Sequence, residues 1–361
     1  MKTFLYPNKD ATIYESASSM NTGIDQILDL DHTLNENNLP YNSRILMDFN
    51  LTSISQSVSN GTINNPKFYL RLFTVEAYEV PKNYTIEAYP ISGSWTMGLG
   101  KQKHTPITNE GVSWTFKDGY VVNTGWLTSS YNSGTTGSWA TVEGGGNWYT
   151  GSSYRATQSF EYETTDVRMD VTNIVSSWLS GSIEQDGLII KRTDSDEQSQ
   201  SIQGNTRFFS LETNTIYIPR LEIAWDDTTF ITGSQTELAI DDDIQLHPKL
   251  KRNYKEGART KIRLNVRPRY PQRTFTTSSN QLTEYYLPTS SYYQIRDAHT
   301  EDVIMDFDEY TKISRDENGN YFNLWMDTFQ PERFYSIVFK VMDENNNVEF
   351  FDNDYNFKVI K

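Results

Sequence analysis

Along most of the chain, apolar and polar residues alternate with the two-residue period of β-strands. Around residues 67–76, Phe68, Leu70 and Leu72 fall on one side and Tyr69, Arg71 and Phe73 on the other. Ile262, Leu264 and Val266 alternate with Lys261, Arg263, Asn265 and Arg267. Tyr335, Ile337, Phe339 and Val341 repeat the pattern, as do Tyr355, Phe357 and Val359. Stretches rich in Gly, Asn, Ser, Thr and Asp separate these runs and read as turns. Many short strands at such spacing predict an all-β chain of antiparallel β-sandwiches. One segment breaks the pattern. In Asp170–Gly181, Val171, Ile174, Val175, Trp178 and Leu179 form a single helical stripe, with Asp170 or Thr172 placed to cap the start and Gly181 to end it.

The boundary between two domains is expected in Asp226–Leu246. Before it, Ile218–Trp225 reads as a closing strand; after it, Asp241–Asp243 and Pro248 read as linker. The division is therefore residues 1–227, a linker at 228–246, and a second domain at 247–361. The segment Lys117–Arg155 is rich in Gly, Ser and Thr yet carries Trp126, Trp139 and Trp148, which a plain flexible linker would not. It reads as long aromatic loops.

Composition narrows the function. Lys and Arg total 32 and Asp and Glu 47, a net charge of −15, so the chain as a whole repels nucleic acid and anionic membrane. There is no Cys, which excludes disulfides, thiolate nucleophiles and iron–sulfur clusters. The opening Met1–Asp10 has no apolar run, and no stretch approaches membrane-span length; the expectation is a protein made in a cytoplasm, with no membrane partner.

No catalytic motif stands out. His32, His104, His247 and His299 are not ligand-spaced, and Gly144–Gly146 lacks the Lys-Ser/Thr of a phosphate loop and reads as a flexible loop. Asp316–Asn320 has calcium-loop ingredients but reads better as a hairpin turn around Asn318-Gly319. No catalytic residue, metal ligand or cofactor is assigned. Two surfaces are. Trp126, Trp139, Trp148 and Tyr149 could stack on sugar rings, anchor a partner protein or pack internally. The second is a basic stripe within His247–Phe275, for which Lys261, Arg263, Arg267, Arg269 and Arg273 are the candidates. It reads as a docking surface for an acidic partner, as a charged edge against aggregation, or as a complement to acidic segments of the chain itself such as Asp297–Asp308; DNA contact is disfavoured, because no base-stacking aromatics are interleaved in a nucleic-acid-module pattern.

Two resemblances add to this. Asp10–Glu15 with Asn21-Thr22-Gly23, then Ser43–Phe49, Phe68–Leu72, Trp95, Val112–Trp114, Asp170–Thr172 with Trp178, Asp186–Ile190 and Phe209–Leu221 resemble, in order, the DNRLRE family of β-sandwich modules. That implies a jelly-roll-type sandwich with one short helix. The family includes carbohydrate-binding modules and modules of surface or virion proteins, and it carries no common catalytic motif. Asn318–Leu324 and Phe334–Val341 resemble Ig-like domains of structural proteins of T4-like tailed phages, as does Tyr6–Glu15 the start of such proteins. What the resemblances imply is a non-enzymatic virion component of the neck, tail or baseplate region. Its partners would be neighbouring virion subunits, including copies of itself. The alternative is a carbohydrate-binding module of a phage fibre or bacterial surface protein.

Overall fold

The structure, a computed structural model, describes residues 1–103, 108–119, 125–126, 135–136, 144–162, 166–231, 233, 235–240, 243–270, 284–343 and 345–361. They are mostly strand, and almost all pairs are antiparallel, as the alternation predicts. The chain divides into two compact units. One comprises Leu5–Asn60 and Lys67–Glu222; the other comprises Met1–Phe4, Gly61–Pro66 and Ile223–Lys361.

In the first unit a large sheet runs in the order Ala156–Glu161, Asn83–Pro90, Leu188–Arg192, Pro40–Phe49, Ile27–Leu34, Gly204–Phe209, Thr74–Tyr78, with Pro7–Tyr14 also paired to Pro40–Phe49. A second layer pairs Lys67–Leu72 with Val167–Asp170, so that Leu72 lies opposite Val167 and Leu70 opposite Met169. The alternation over residues 67–76 therefore spans two strands rather than one. The chain breaks at the buried Phe73, and Thr74–Tyr78 joins the large sheet beside Gly204–Phe209. The predicted helix forms over Thr172–Leu179, with Ile174, Val175 and Trp178 buried. Asp170 Oδ1 accepts the Thr172 N–H at 2.9 Å, which ties down the helix entry. A second helix, Thr52–Ser59, was not expected from the sequence: its TSISQSVS composition is poor in helix formers, and it is held by burial of Ile54.

In the second unit two sheets enclose a core. One runs Ile244–Pro248, Arg259–Pro268, Gly319–Trp325, Ser314–Asp316; the other runs Asn253–Lys255, Val348–Ile360, Phe334–Met342, Ser290–Asp297, Val303–Met305. Ile262, Leu264, Val266, Phe322 and Leu324 of the first share one apolar cluster with Tyr293, Ile295, Ile337, Phe339 and Val359 of the second. Tyr293 and Phe322 stack across it with ring centroids 4.4 Å apart. Two features depart from the predicted linear division. Leu238 and Ile244, placed in a linker by sequence, are buried in this core. Phe4 is buried there as well, so the first four residues belong to the unit formed otherwise mainly by the last third of the chain. The cause is local chemistry. Phe4 is 2% exposed, and Thr3 shares a 2.7 Å hydroxyl hydrogen bond with Thr328.

Candidate functional site

The basic stripe is laid out by register. On the Arg259–Pro268 strand, Ile262, Leu264 and Val266 point into the core, which turns Arg259, Lys261, Arg263, Asn265 and Arg267 to the outer face. Neighbouring strands align residues of the same face: Arg259 opposite Trp325, Lys261 opposite Asn323, Arg263 opposite Tyr321, and Arg267 opposite Gln245. The guanidinium carbon of Arg259 lies 3.7 Å from the Trp325 ring centroid, and Lys261 Nζ lies 3.8 Å from that of Tyr321. These are cation–π contacts in which the aromatic ring also shields the stem of the basic side chain. Trp225 packs on Trp325 at 5.1 Å. A cleft of about 330 Å³ opens between Trp225, Asp227, Arg259, Lys261, Asn323 and Trp325.

Part of the stripe's charge is answered within the unit. Arg263 donates to both carboxylate oxygens of Asp316, and Lys261 Nζ lies 3.5 Å from Asp316 Oδ2. The hydrogen bonds from Arg263 hold the Asp316 carboxyl down at about 2. Asp316 is thus the base of an ion-pair cluster beside the two-residue turn Glu317–Asn318, where Gly319 takes φ +97°. The acid that pairs with Arg263 and Lys261 is Asp316; at the two ends of the acidic Asp297–Asp308 segment, Asp297 is engaged by Arg333 at 2.8 Å and Asp308 pairs with Lys2. Arg267 donates to Gln245 Oε1 at 3.1 Å, and Arg269 is exposed with its guanidinium beside Tyr270. Arg273 lies outside the described residues.

The aromatic loops resolve differently. Trp126 and Trp148 are each 3% exposed and belong to a core cluster with Ala11, Ile13, Leu46, Trp95, Trp114 and Ile189. Two of the four residues expected to meet sugar or partner are therefore internal packing, and the Trp126 indole N–H is spent on Ser113 O at 3.0 Å. Tyr149 is half-buried against Tyr154; Trp139 lies outside the described residues. The Gly144–Gly146 triplet is buried, not a free loop. All three glycines have positive φ, and a Cβ on Gly144 would meet Trp114 O at 2.1 Å. Gly145 O accepts from Arg44 Nη1 at 2.6 Å.

Arg44 is the centre of that cluster, and sequence reasoning did not single it out. It has no solvent exposure, lies 4.9 Å from the Trp114 ring and 5.1 Å from the Trp148 ring, and grips Glu197 with Nε at 2.9 Å and Nη2 at 2.6 Å. Lys191 adds a second buried cation, 3.3 Å from Glu197. Burial would raise the Glu197 carboxyl, but Arg44 and Lys191 overcome this and hold it below its ordinary value. The signal in the sequence is a charge inside an apolar strand: Arg44 just before Ile45-Leu46-Met47, and Lys191 just after Leu188-Ile189-Ile190. Beside this network a cleft of about 390 Å³ is lined by Tyr89, Trp148, Thr150, Ser152, Arg155 and Asp194. Tyr321, Trp225 and Trp325 are not among the residues that the sequence assigns to this surface. The period-2 phase of Phe322 and Leu324 already sends Tyr321, Asn323 and Trp325 to the opposite face, where the basic residues are.

Among the described residues no group of three or more His, Asp or Glu side chains is placed to hold a metal ion. Among the described residues, no helix is long and apolar enough to cross a membrane. The chain matches no known family profile and no curated protein sequence.

Proposed function

We propose that this chain is a non-enzymatic structural component of a tailed-phage virion, in its neck, tail or baseplate region, and that it acts by docking in a multi-copy assembly. In this reading the two units are a DNRLRE-like, jelly-roll-type sandwich and an Ig-like sandwich, as the motif resemblances imply. The observation that carries the docking role is the outer face of the Arg259–Pro268 sheet. Arg259, Lys261, Arg263 and Arg267 form a row, the first three against Trp325 and Tyr321, beside an open cleft, on a chain whose net charge is −15. Arg, Trp and Tyr are the residue types that anchor protein interfaces. A basic face on an acidic chain is complementary to acidic surfaces on neighbouring subunits, its own copies included. Repeated weak contacts of this kind gain strength by effective concentration on a ring or shell.

Light scattering on the purified protein across a salt series tests this. Self-association that weakens with salt and is lost in the Arg259→Glu, Arg267→Glu double variant is the expected result. A monomer at every salt concentration that binds no acidic partner protein, or a hydrolase activity abolished by one carboxylate substitution, would overturn it.

A second reading rests on the cleft beside Trp148. Half-buried Tyr89, backed by the covered Trp148 with ring centroids 6.1 Å apart, offers aromatic surface, while Arg155, Asp194, Thr150 and Ser152 offer hydrogen-bonding groups suited to a sugar. Host surface glycan binding that disappears in Tyr89→Ala and Arg155→Ala would favour a carbohydrate-binding module.

A further inference from the structure

A second buried guanidinium in the first unit forms no ion pair with a carboxylate among the described residues. Arg192 is 1% exposed. Its Nη2 donates to Gly204 O at 2.9 Å and to Leu30 O at 3.4 Å. Its Nε and Nη1 have no partner among the described residues. The contrast with Arg44 is direct, because Arg44 spends its donors on Glu197 and Gly145 O. The carboxylates whose charge reaches Arg192 are Asp31, Asp196 and Glu197, and none of them forms an ion pair with it. Glu197 is held by Arg44 and Lys191, and Asp196 accepts the Thr193 hydroxyl at 2.7 Å.

Other unsatisfied groups are close to the same guanidinium. Register places His32 opposite Gly204, and Thr206 opposite Leu30, so both belong to the strand pair whose carbonyls Arg192 grips. The guanidinium carbon lies 5.8 Å from the Tyr84 ring. His32 is fully buried with neither ring nitrogen bonded, and the hydroxyls of Tyr84 and Thr206 have no partner among the described residues. Burial, then the charge of Arg192, lower the His32 pKa, so its ring is neutral and offers one N–H. Each of these groups can donate: Arg192 Nε and Nη1 donate only, while the two hydroxyls and the neutral ring each carry one donor beside their acceptors. Arginine does not shed its proton in proteins, and buried donors of a charged group are costly to leave unbonded, so the site favours a negative acceptor beside Nε and Nη1.

We propose that the first unit binds one monovalent inorganic anion of halide or nitrate size, held by Arg192 Nε and Nη1 with the Tyr84 and Thr206 hydroxyls and the His32 ring. A spherical or planar anion accepts from several donors without needing a donor of its own. The role is structural: the ion satisfies buried polar groups beside a strand pair whose other inward positions include Leu28, Leu30 and Phe208.

The test uses the full chain at constant ionic strength, with chloride exchanged for gluconate. Thermal stability is expected to rise with chloride and to saturate, as single-site linkage requires. The Tyr84→Phe, Thr206→Val double variant keeps the packing but removes two hydroxyl donors, and should need about tenfold more chloride for the same stabilisation. Bromide-soaked crystals of the unaltered protein should show an anomalous peak beside Arg192, a readout independent of any variant's folding. Equal stability in chloride and gluconate, an unchanged chloride response in the double variant, or water alone beside Arg192 in the bromide crystals would each overturn the proposal.

Discussion

The interior around Arg44 and the outer face around Arg263 use the same parts with opposite results. In both, a guanidinium lies against aromatic rings and grips a carboxylate in a two-pronged arrangement. Arg44 and Glu197 are closed off from water, whereas Arg263 and Asp316 keep side-chain exposures of 27% and 20%. Inside, the pair cannot be released without stranding charge. Outside, water can replace either partner, so the same geometry contributes little to folding and stays available for binding. The composition of a charge–aromatic cluster therefore does not say whether it is a rivet or a contact surface; its solvation does.

The largest expected effect tests the rivet. Glu197→Gln leaves Arg44 buried without its counter-charge and Lys191 with Asp194 alone, and unfolding by denaturant should show a loss of about 3–5 kcal/mol. The pH dependence has a definite sign. Because the folded Glu197 carboxyl sits below its ordinary value, its contribution is present above the unfolded carboxylate pKa and is lost as pH falls through the lower folded one. A loss under about 1 kcal/mol would show that water reaches the pair, and the contrast between the two regions would collapse.

How much of this was legible in the sequence follows from the same physics. Alternation fixed the inward and outward sides of Arg259–Pro268, because one face of a half-buried strand must be apolar and a one-residue slip would expose all of it. The helical stripe was equally plain, and the helix found, Thr172–Leu179, falls within the predicted segment. What escaped was non-local. Nothing in residues 117–155 states that Trp126 and Trp148 are covered by Ala11, Ile13 and Leu46, more than 75 positions away. Phe73 looked like the continuation of a strand because alternation does not register a change of sheet. Phe4 was too short a signal to reveal that the chain's start packs with residues beyond 223.

A smaller effect, of opposite sign, separates a buried carboxylate with cations from one without. Asp10 is 1% exposed; its Oδ2 accepts the Leu211 N–H at 2.7 Å, and its Oδ1 has no partner among the described residues. Burial pushes its pKa to about 7. A raised carboxyl pKa means that the folded state holds its proton while the unfolded chain has lost it. Stability from this group therefore falls as pH rises from the ordinary aspartate value to about 7. Asp10→Asn keeps an acceptor for Leu211 and removes the charge. It should stabilise the protein at pH 8 by on the order of 1–3 kcal/mol and by much less at pH 4. Stabilisation that is equal at both pH values would mean that Asp10 does not titrate with folding.

The smallest stability effect is the most informative about function. Asp316→Asn removes the carboxylate shared by Arg263 and Lys261, yet the pairs are partly solvated, so unfolding should change by no more than about 1 kcal/mol. Since Asp316 stays ionised down to about pH 2, that change should be flat between pH 5 and 8. Association should respond in the other direction. Neutralising Asp316 frees two cations on the outer face and strengthens its positive potential, so an acidic partner should bind faster at low salt and show a steeper salt dependence. If binding instead weakens, Asp316 is part of the contact, positioning Arg263 for its partner. If association is indifferent to Asp316→Asn while Glu197→Gln unfolds the protein as expected, the outer cluster has no part in docking, and the difference in solvation between the two regions carries no functional meaning.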